Sequence, residues 1–414
     1  MSQKIVIIGA GFAGVWSALS AKRLLNLAEN GNDVGITVIA PEPALTMRPR
    51  LYESNAATLS HPLEALFKAA GVQFLRGLAE SIDTKEHTVQ VQSATRQHTA
   101  VPYNRLILAA GSSLVQPTGV TGLQEHAFDI DCLKSAIKLE THLKSLPSLP
   151  STAGRDTVVV CGAGFTGIEI ATELPKRLSH VASPRIILVG NSEEVAPEFG
   201  SDTRQIIKEA LANLGVEVKV GSAVSAVDEA GVTLASGERI ETKTVIWTAG
   251  VRATPLTQQI PAPKDNLSRL YVDEYLRVSS TEPDLTDVIA TGDAACALAD
   301  GKENYALMSC QHANHLGRVS GYNAAAGVLG QPLLPYAQAV YNCCLDLGSW
   351  GAMVAGGWER KDVLLSGEKA KRTKTYINQT LIYPPVDVGE ALESANPMTY
   401  TTDRLFEQLS KIVE

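Results

Sequence analysis

Short apolar runs rich in β-branched residues, each closing on glycine, recur along the chain. "KIVIIG" (Lys4–Gly9) and "TVVVCG" (Thr157–Gly162) are the two clearest. Runs that are apolar at every position, rather than at alternate ones, predict parallel strands buried on both faces. Each is followed by a stretch with helical spacing, from about Phe12 to Ala28 and from about Thr166 to Leu178. Another strand then follows, "GITVIA" (Gly35–Ala40) in the first case and "RIILV" (Arg185–Val189) in the second. A helix over Pro62–Ala70, the strand "VQFLRG" and the buried strand "YNRLILAAG" (Tyr103–Gly111) continue the first unit. A helix over Asp202–Leu214 and the strands "VEVKVG" and "KTVIWTAG" continue the second, and "LTDVIATGDAA" (Leu285–Ala295) is one more buried strand, closing on Gly-Asp.

After about Gln331 the pattern changes. "AVYNCC", "AMVAGGW" and "TKTYINQTLIY" predict an antiparallel sheet, and Leu405, Phe406, Leu409, Ile412 and Val413 mark one stripe of a final helix. "SLPSLPSTAGR" (Ser145–Arg155), with two prolines among small polar residues, predicts a linker. The expected organisation is α/β. Residues 1–112 form the first part of one Rossmann-like dinucleotide-binding domain, and residues 113–154 are a connecting segment. Residues 155–262 form a second dinucleotide-binding domain, 263–330 return to the first, and 331–414 form a C-terminal antiparallel β-sheet interface domain.

Composition narrows the function. A formal net charge of −8 argues against a nucleic-acid partner, which normally needs a clustered basic face. The densest basic run, Lys371-Arg372-Thr373-Lys374, reads as a solvated strand edge. No apolar run reaches the roughly 18 residues of a membrane span, and Gly9, Gly11 and Gly14 break the helix that a signal peptide would need. The six cysteines include no C-x-x-C or C-x-x-x-x-C pair, so neither a redox dithiol nor a metal site is expected; Cys343 and Cys344 read as packed residues of one strand.

The chemistry sits in the glycines. Gly9, Gly11 and Gly14 spell one G-x-G-x-x-G fingerprint between strand and helix, and Gly162, Gly164 and Gly167 spell another. The first glycine allows the tight turn, the second lets backbone N–H groups approach a pyrophosphate, and the third lets helix and strand pack closely. Two cradles in one chain point to electron transfer between a flavin and a pyridine nucleotide.

With these motifs the chain to about residue 330 resembles the two-dinucleotide flavoproteins of the pyridine nucleotide–disulfide reductase superfamily. "LILAAG" resembles that family's Ala-Thr-Gly strand end, with Ala110 in place of threonine before Gly111. "VIATGDAA" resembles its second FAD motif, carrying Gly292 and Asp293. "RPRLYE", "GFTGIEIATEL", "VIWTAGVRATPL" and "CQHANHLGRVSGYN" are similar to segments of type II NAD(P)H:quinone oxidoreductases and their apoptosis-inducing-factor-like relatives.

The resemblance implies FAD held by Gly9, Gly11, Phe12, Ala13 and Gly14, with Arg48 beside the flavin, Ala110 and Gly111 at its strand end, Asp293 on its ribityl or pyrophosphate portion, and Gln311 and His312 nearby. It implies NADH or NADPH as electron donor, held by Gly162, Gly164, Phe165, Thr166 and Gly167, with Gly250 at the strand end. Glu42 could reach the FAD ribose, although Ala40 stands where the usual acidic contact would be. Asn191 follows Gly190 at the matching place in the second unit, which leaves the choice between NADH and NADPH open. Glu169 either positions the nicotinamide and relays protons or is a helix N-terminal carboxylate favoured by the dipole. Gln311 and His315 occupy the run thought to line a quinone opening. His315 replaces a glutamine there, either as a proton donor or as a residue packed at an interface. The expected acceptor is a quinone or similar small molecule, with a ferredoxin-like redox partner or a redox-sensing role as alternatives. The expected location is cytoplasmic, with peripheral contact on the inner face of a membrane and a homodimer both admitted.

Overall fold

The computed structural model describes residues 3–280 and 285–399; the C-terminal stripe expected over Leu405–Val413 lies outside them. Two all-parallel sheets carry the fold. The first orders its strands Val288–Ala290, Arg105–Leu108, Gln3–Ile8, Val34–Ala40 and Gln73–Arg76. The second orders Val216–Lys219, Arg185–Val189, Thr157–Cys161 and Thr244–Trp247. In both, the strand that ends on a glycine fingerprint lies inside the sheet. Its apolar run is buried from end to end: Ile5, Val6 and Ile7 are fully covered, as are Val158, Val159 and Val160. Strands placed there must be apolar on both faces, which is the pattern the sequence carries.

Small residues bring the helices together. Helix Phe12–Leu27 packs along helix Cys310–Leu329 so closely that a Cβ on Gly317 would stand 2.4 Å from the Ala13 carbonyl oxygen, and one on Gly321 would stand 2.1 Å from that of Ser17. This contact places the Gln311 end of the second helix beside the first glycine turn. The C-terminal sheet is antiparallel, ordered Asn342–Asp346, Ala352–Gly356 and Asp362–Ser366.

Two expectations are corrected. The segment read as a strand from Thr373 onward is helix Gly367–Tyr376 followed by a π-turn, Ile377–Leu381. Its Thr, Tyr and Ile residues favour strands in isolation, but tertiary contacts override that preference. The basic run is accordingly not a strand edge, and it is only partly solvated: Arg372 is exposed, but the Lys374 side chain is 7% exposed and points inward. The linker is also more ordered than its prolines suggest. Helix Leu133–Ser145 runs into a 3-10 turn, Leu146–Ser148, whose Leu146 is buried.

Candidate functional site

A cavity of about 1900 Å³ runs from the first glycine turn, past the second, to the C-terminal sheet and helix. It exceeds the few hundred to roughly 1,000 Å³ of a single small-ligand pocket.

At the first turn Gly9 has φ +110°, and a Cβ there would meet the Ala109 carbonyl oxygen at 2.3 Å. A Cβ on Gly14 would meet the Gly9 oxygen at 2.0 Å, whereas the space above Gly11 is clear to 4 Å. The outer glycines therefore serve packing and the middle one leaves room for a ligand at the helix N-terminus. Phe12 and Ala13 line this space. Gly292, at φ +59°, lies so close that its Cβ would stand 2.8 Å from that of Ala13. Four buried polar atoms on residues of the cavity wall have no hydrogen-bond partner among the described residues: Trp16 Nε1, Thr291 Oγ1, Asn314 Oδ1 and Arg360 Nε. Buried polar atoms are normally satisfied. A clear cradle bordered by orphaned donors and acceptors fits a large polar cofactor.

Arg48, Ser112, Asp131 and Asp293 form one network on this wall. Arg48 Nη1 donates to Ser112 Oγ at 2.8 Å, the Ser112 hydroxyl donates to Asp293 Oδ2 at 2.6 Å, and Arg48 also pairs with Asp131. Burial raises the Asp293 carboxyl above its ordinary range, while the Ser112 hydrogen bond and the Arg48 charge pull the other way. Glu42 stands at the cavity rim, exposed and paired with Arg76. Gly111 lines the cavity, whereas Ala110 packs against a core cluster behind it.

The second turn repeats the geometry. Gly162 has φ +126°; its Cβ would meet Thr248 Oγ1 at 2.6 Å, and one on Gly167 would meet the Gly162 oxygen at 1.7 Å. Phe165 and Thr166 line the cavity. Asn191 sits exposed beyond strand Arg185–Val189, and Gly250 turns at φ +85°; neither is part of the cavity wall.

Glu169, one turn into helix Phe165–Arg177, lines the cavity where that helix meets Lys374 and Asp346 of the C-terminal region. Its Oε1 accepts from Lys374 Nζ at 2.8 Å and from the Asp346 amide at 3.1 Å. Burial raises the carboxyl to about 7, against the lowering pull of Lys374. Lys374 also donates to the Cys344 carbonyl at 2.9 Å. Burial opposes its charge, but Glu169, Cys344 and Asp346 together more than offset this, so the ammonium is kept. Beside them Lys371 pairs with Asp346 at 2.6 Å, and the Tyr52 hydroxyl donates to Asp346 Oδ2 at 3.1 Å.

Gln311 lines the cavity, together with Cys310 and Asn314. The two histidines of that run do not. His312 lies 2.9 Å by Nδ1 from Ser309 Oγ, stacks on Tyr341, and is lowered to about 3 by burial and the charges around it. His315 donates through Nε2 to the Ala337 carbonyl at 3.1 Å and sits against Tyr336. Burial, aided by the Arg318 charge, lowers it to about 4. Of the two readings of His315, this placement favours the packed one: the ring faces a backbone carbonyl and is not part of the cavity wall. Cys310, Cys343 and Cys344 do line the cavity, but burial pushes their thiols up to about 11, 11 and 12, far from thiolate reactivity.

Sequence reasoning missed Lys374, Asp346, Asn314, Thr291 and Trp16. Lys374 was visible only as one member of a basic run, and no spacing along the chain links it to Glu169.

Fold and site define a flavoprotein built to hold two dinucleotides around one cavity. Residues 3–317 match the family model for pyridine nucleotide-disulphide oxidoreductases, and the chain belongs to that family. It is 41% identical over 395 residues to an NADH dehydrogenase-like protein of Mycobacterium tuberculosis, covering 94% of this chain and 96% of the relative. A type II NADH:quinone oxidoreductase of Staphylococcus saprophyticus is 22% identical, with 94% and 98% covered. Among solved structures, NDH2 from Plasmodium falciparum in complex with NADH superposes with a TM-score of 0.74 at 15% identity, covering 95% of this chain and 97% of that one. The protein is an oxidoreductase of the type II NADH dehydrogenase kind, using FAD and NAD(P)H.

Proposed function

We propose that the first cradle holds FAD, that the second admits NADH or NADPH, and that the electron pair passes to a quinone. The observation that carries this reading is the convergence of both cradles and the Glu169–Lys374 pair on one cavity. Bound there, a flavin supplies acceptance of hydride from the nicotinamide and onward delivery of the electrons. The residues supply the rest. Gly11 and Gly164 let backbone amides approach phosphate oxygens, and Arg48 and Asp293 fix polar groups along the first ligand. Glu169, raised to about 7, holds or releases a proton near neutrality at the junction, as reduction of a quinone to a quinol requires. Lys374 keeps that carboxyl oriented and limits its rise.

An apolar acceptor also fits beside the C-terminal elements of the cavity, where Leu364, Leu365, Ile377, Leu381, Ile382 and Pro385 line it among polar neighbours such as Lys369 and Arg372. Among the described residues no helix is long and apolar enough to cross a membrane. The test is anaerobic reduction of the flavin-loaded protein with NADH and NADPH, followed by reoxidation with a soluble quinone or a ferredoxin-type protein. Fast reoxidation by the quinone alone is the expected result. A protein that takes up no flavin, or whose flavin neither coenzyme bleaches, would end this reading.

A further inference from the structure

The two cradles differ at the middle glycine. Above Gly11 the space is clear to 4 Å, whereas a Cβ on Gly164 would meet Glu198 Oε1 at 3.5 Å. That same oxygen accepts a hydrogen bond from the Phe165 amide at 3.1 Å, the first N–H of helix Phe165–Arg177. Glu198 lines the cavity and is half-buried. Its carboxylate thus occupies the amide, and the positive helix end, that a dinucleotide's phosphate would use. One amide hydrogen cannot serve two anions at once. A second feature is a cation beside the spot, packed over the Phe199 and Tyr341 rings. Arg360, also in the cavity wall, has a buried Nε–H with no acceptor among the described residues, while its Nη1 reaches the Glu198 backbone oxygen at 3.4 Å.

We propose that Glu198 is a built-in competitor for the nucleotide pyrophosphate, which caps the second cradle between turnovers and speeds departure of the oxidised coenzyme. The proposal rests on the reading of this cradle as the NAD(P)H site. When nucleotide enters, the carboxylate leaves the Phe165 amide and the pyrophosphate takes its place near Arg360. When nucleotide leaves, Glu198 returns and satisfies the amide that would otherwise be orphaned. A charge-assisted bond of this type makes a competitor of moderate strength, enough to change affinity by about tenfold.

The experiment measures dissociation constants of NAD+ and NADP+ on the FAD-loaded full-length protein at low salt, for wild type, Glu198→Gln, Glu198→Ala and the control Glu194→Gln. Glu194 is a partly exposed carboxylate of the same loop, paired with Lys208. Glu198→Gln and Glu198→Ala should bind the preferred coenzyme about tenfold more tightly with unchanged flavin content, and Glu194→Gln should match wild type. Equal tightening in the control would reduce the effect to general charge and overturn the proposal. Unchanged or weaker binding in both Glu198 variants would overturn it too, weaker binding making Glu198 a nucleotide contact. If no protein of the set binds either coenzyme, the cradle assignment itself falls, and the proposal with it.

Discussion

The first and second glycine turns are built from the same three-glycine phrase, and their outer glycines do the same work. A Cβ on Gly14 or on Gly167 would collide with the carbonyl oxygen of Gly9 or Gly162, so helix and strand can approach only without one. What differs is the surroundings. The first turn is enclosed by helix Cys310–Leu329, Gly292 and the Arg48–Asp293 network, and the space at its centre is clear. The second faces an acidic loop that lends it a carboxylate. On the proposed reading, one phrase gives a resident site in the first case and an exchanging one in the second. A cofactor that stays is served by enclosure and by polar atoms left waiting for it. A substrate that must leave each cycle is served by a site with an internal substitute.

The sharpest way to break this contrast is to fill the two middle positions. Gly11 and Gly164 both have ordinary negative φ and no backbone atom in the way, so valine at either should leave the fold intact. Gly11→Val should yield protein without flavin. Gly164→Val should stay yellow yet lose at least about a hundredfold in reduction by coenzyme, because charge-assisted bonds to phosphate are lost together. Absorbance of the purified protein and anaerobic stopped-flow decide the matter. Equal loss of flavin in both would refute the division of labour.

A smaller effect is expected where the sites meet. Lys374→Met leaves Glu169 buried beside Asp346 without its cation. Breaking a buried pair on one side costs about 3 kcal/mol, less what the carboxyl recovers by taking up a proton. Its titration should then move upward from about 7, since Lys374 is what restrains it. In the wild type, the folded carboxyl holds its proton up to about pH 7, while its ordinary value is 4.5. Its contribution therefore favours the fold at low pH and fades as pH rises through 7. Glu169→Gln should remove that dependence from thermal melts between pH 5 and 8, and should flatten any limb near pH 7 in the rate of quinone reduction. An unaltered limb in that variant would assign the proton elsewhere.

How much of this was legible in the chain follows the range of the interactions. Both parallel sheets and both cradles could be read because strand, turn and helix are contiguous, and their requirements fall on neighbouring residues such as Gly9, Gly11 and Gly14. The Glu169–Lys374 pair could not be read, because it joins a Rossmann helix to a helix of the C-terminal region whose Thr, Tyr and Ile content reads as a strand. Asn314 and Thr291 lie inside motifs that could be read, but nothing singled them out there, since what marks them is a polar atom without a partner among the described residues, which only packing reveals. Glu198 was invisible for a related reason: nothing local says that the carboxylate of "APEFG" folds back onto Phe165.

The smallest predicted effect concerns His315, where motif and geometry point apart. Position along the run suggests a group facing the acceptor, but its ring lies between Tyr336 and the Ala337 carbonyl, outside the cavity wall, and its imidazole is held neutral. If its role is packing, His315→Asn should lower stability by about 1 kcal/mol, the ordinary worth of a buried hydrogen bond and ring contact. Its quinone-reduction rate should stay within about twofold of wild type from pH 6 to 8, because no step in that window uses its proton. Gln311→Ala, four residues earlier and inside the cavity, should instead weaken use of the acceptor at unchanged flavin reduction. A tenfold loss in the His315 variant, with flavin content and coenzyme reduction intact, would return the histidine to the acceptor site and move the boundary between the resident and exchanging regions.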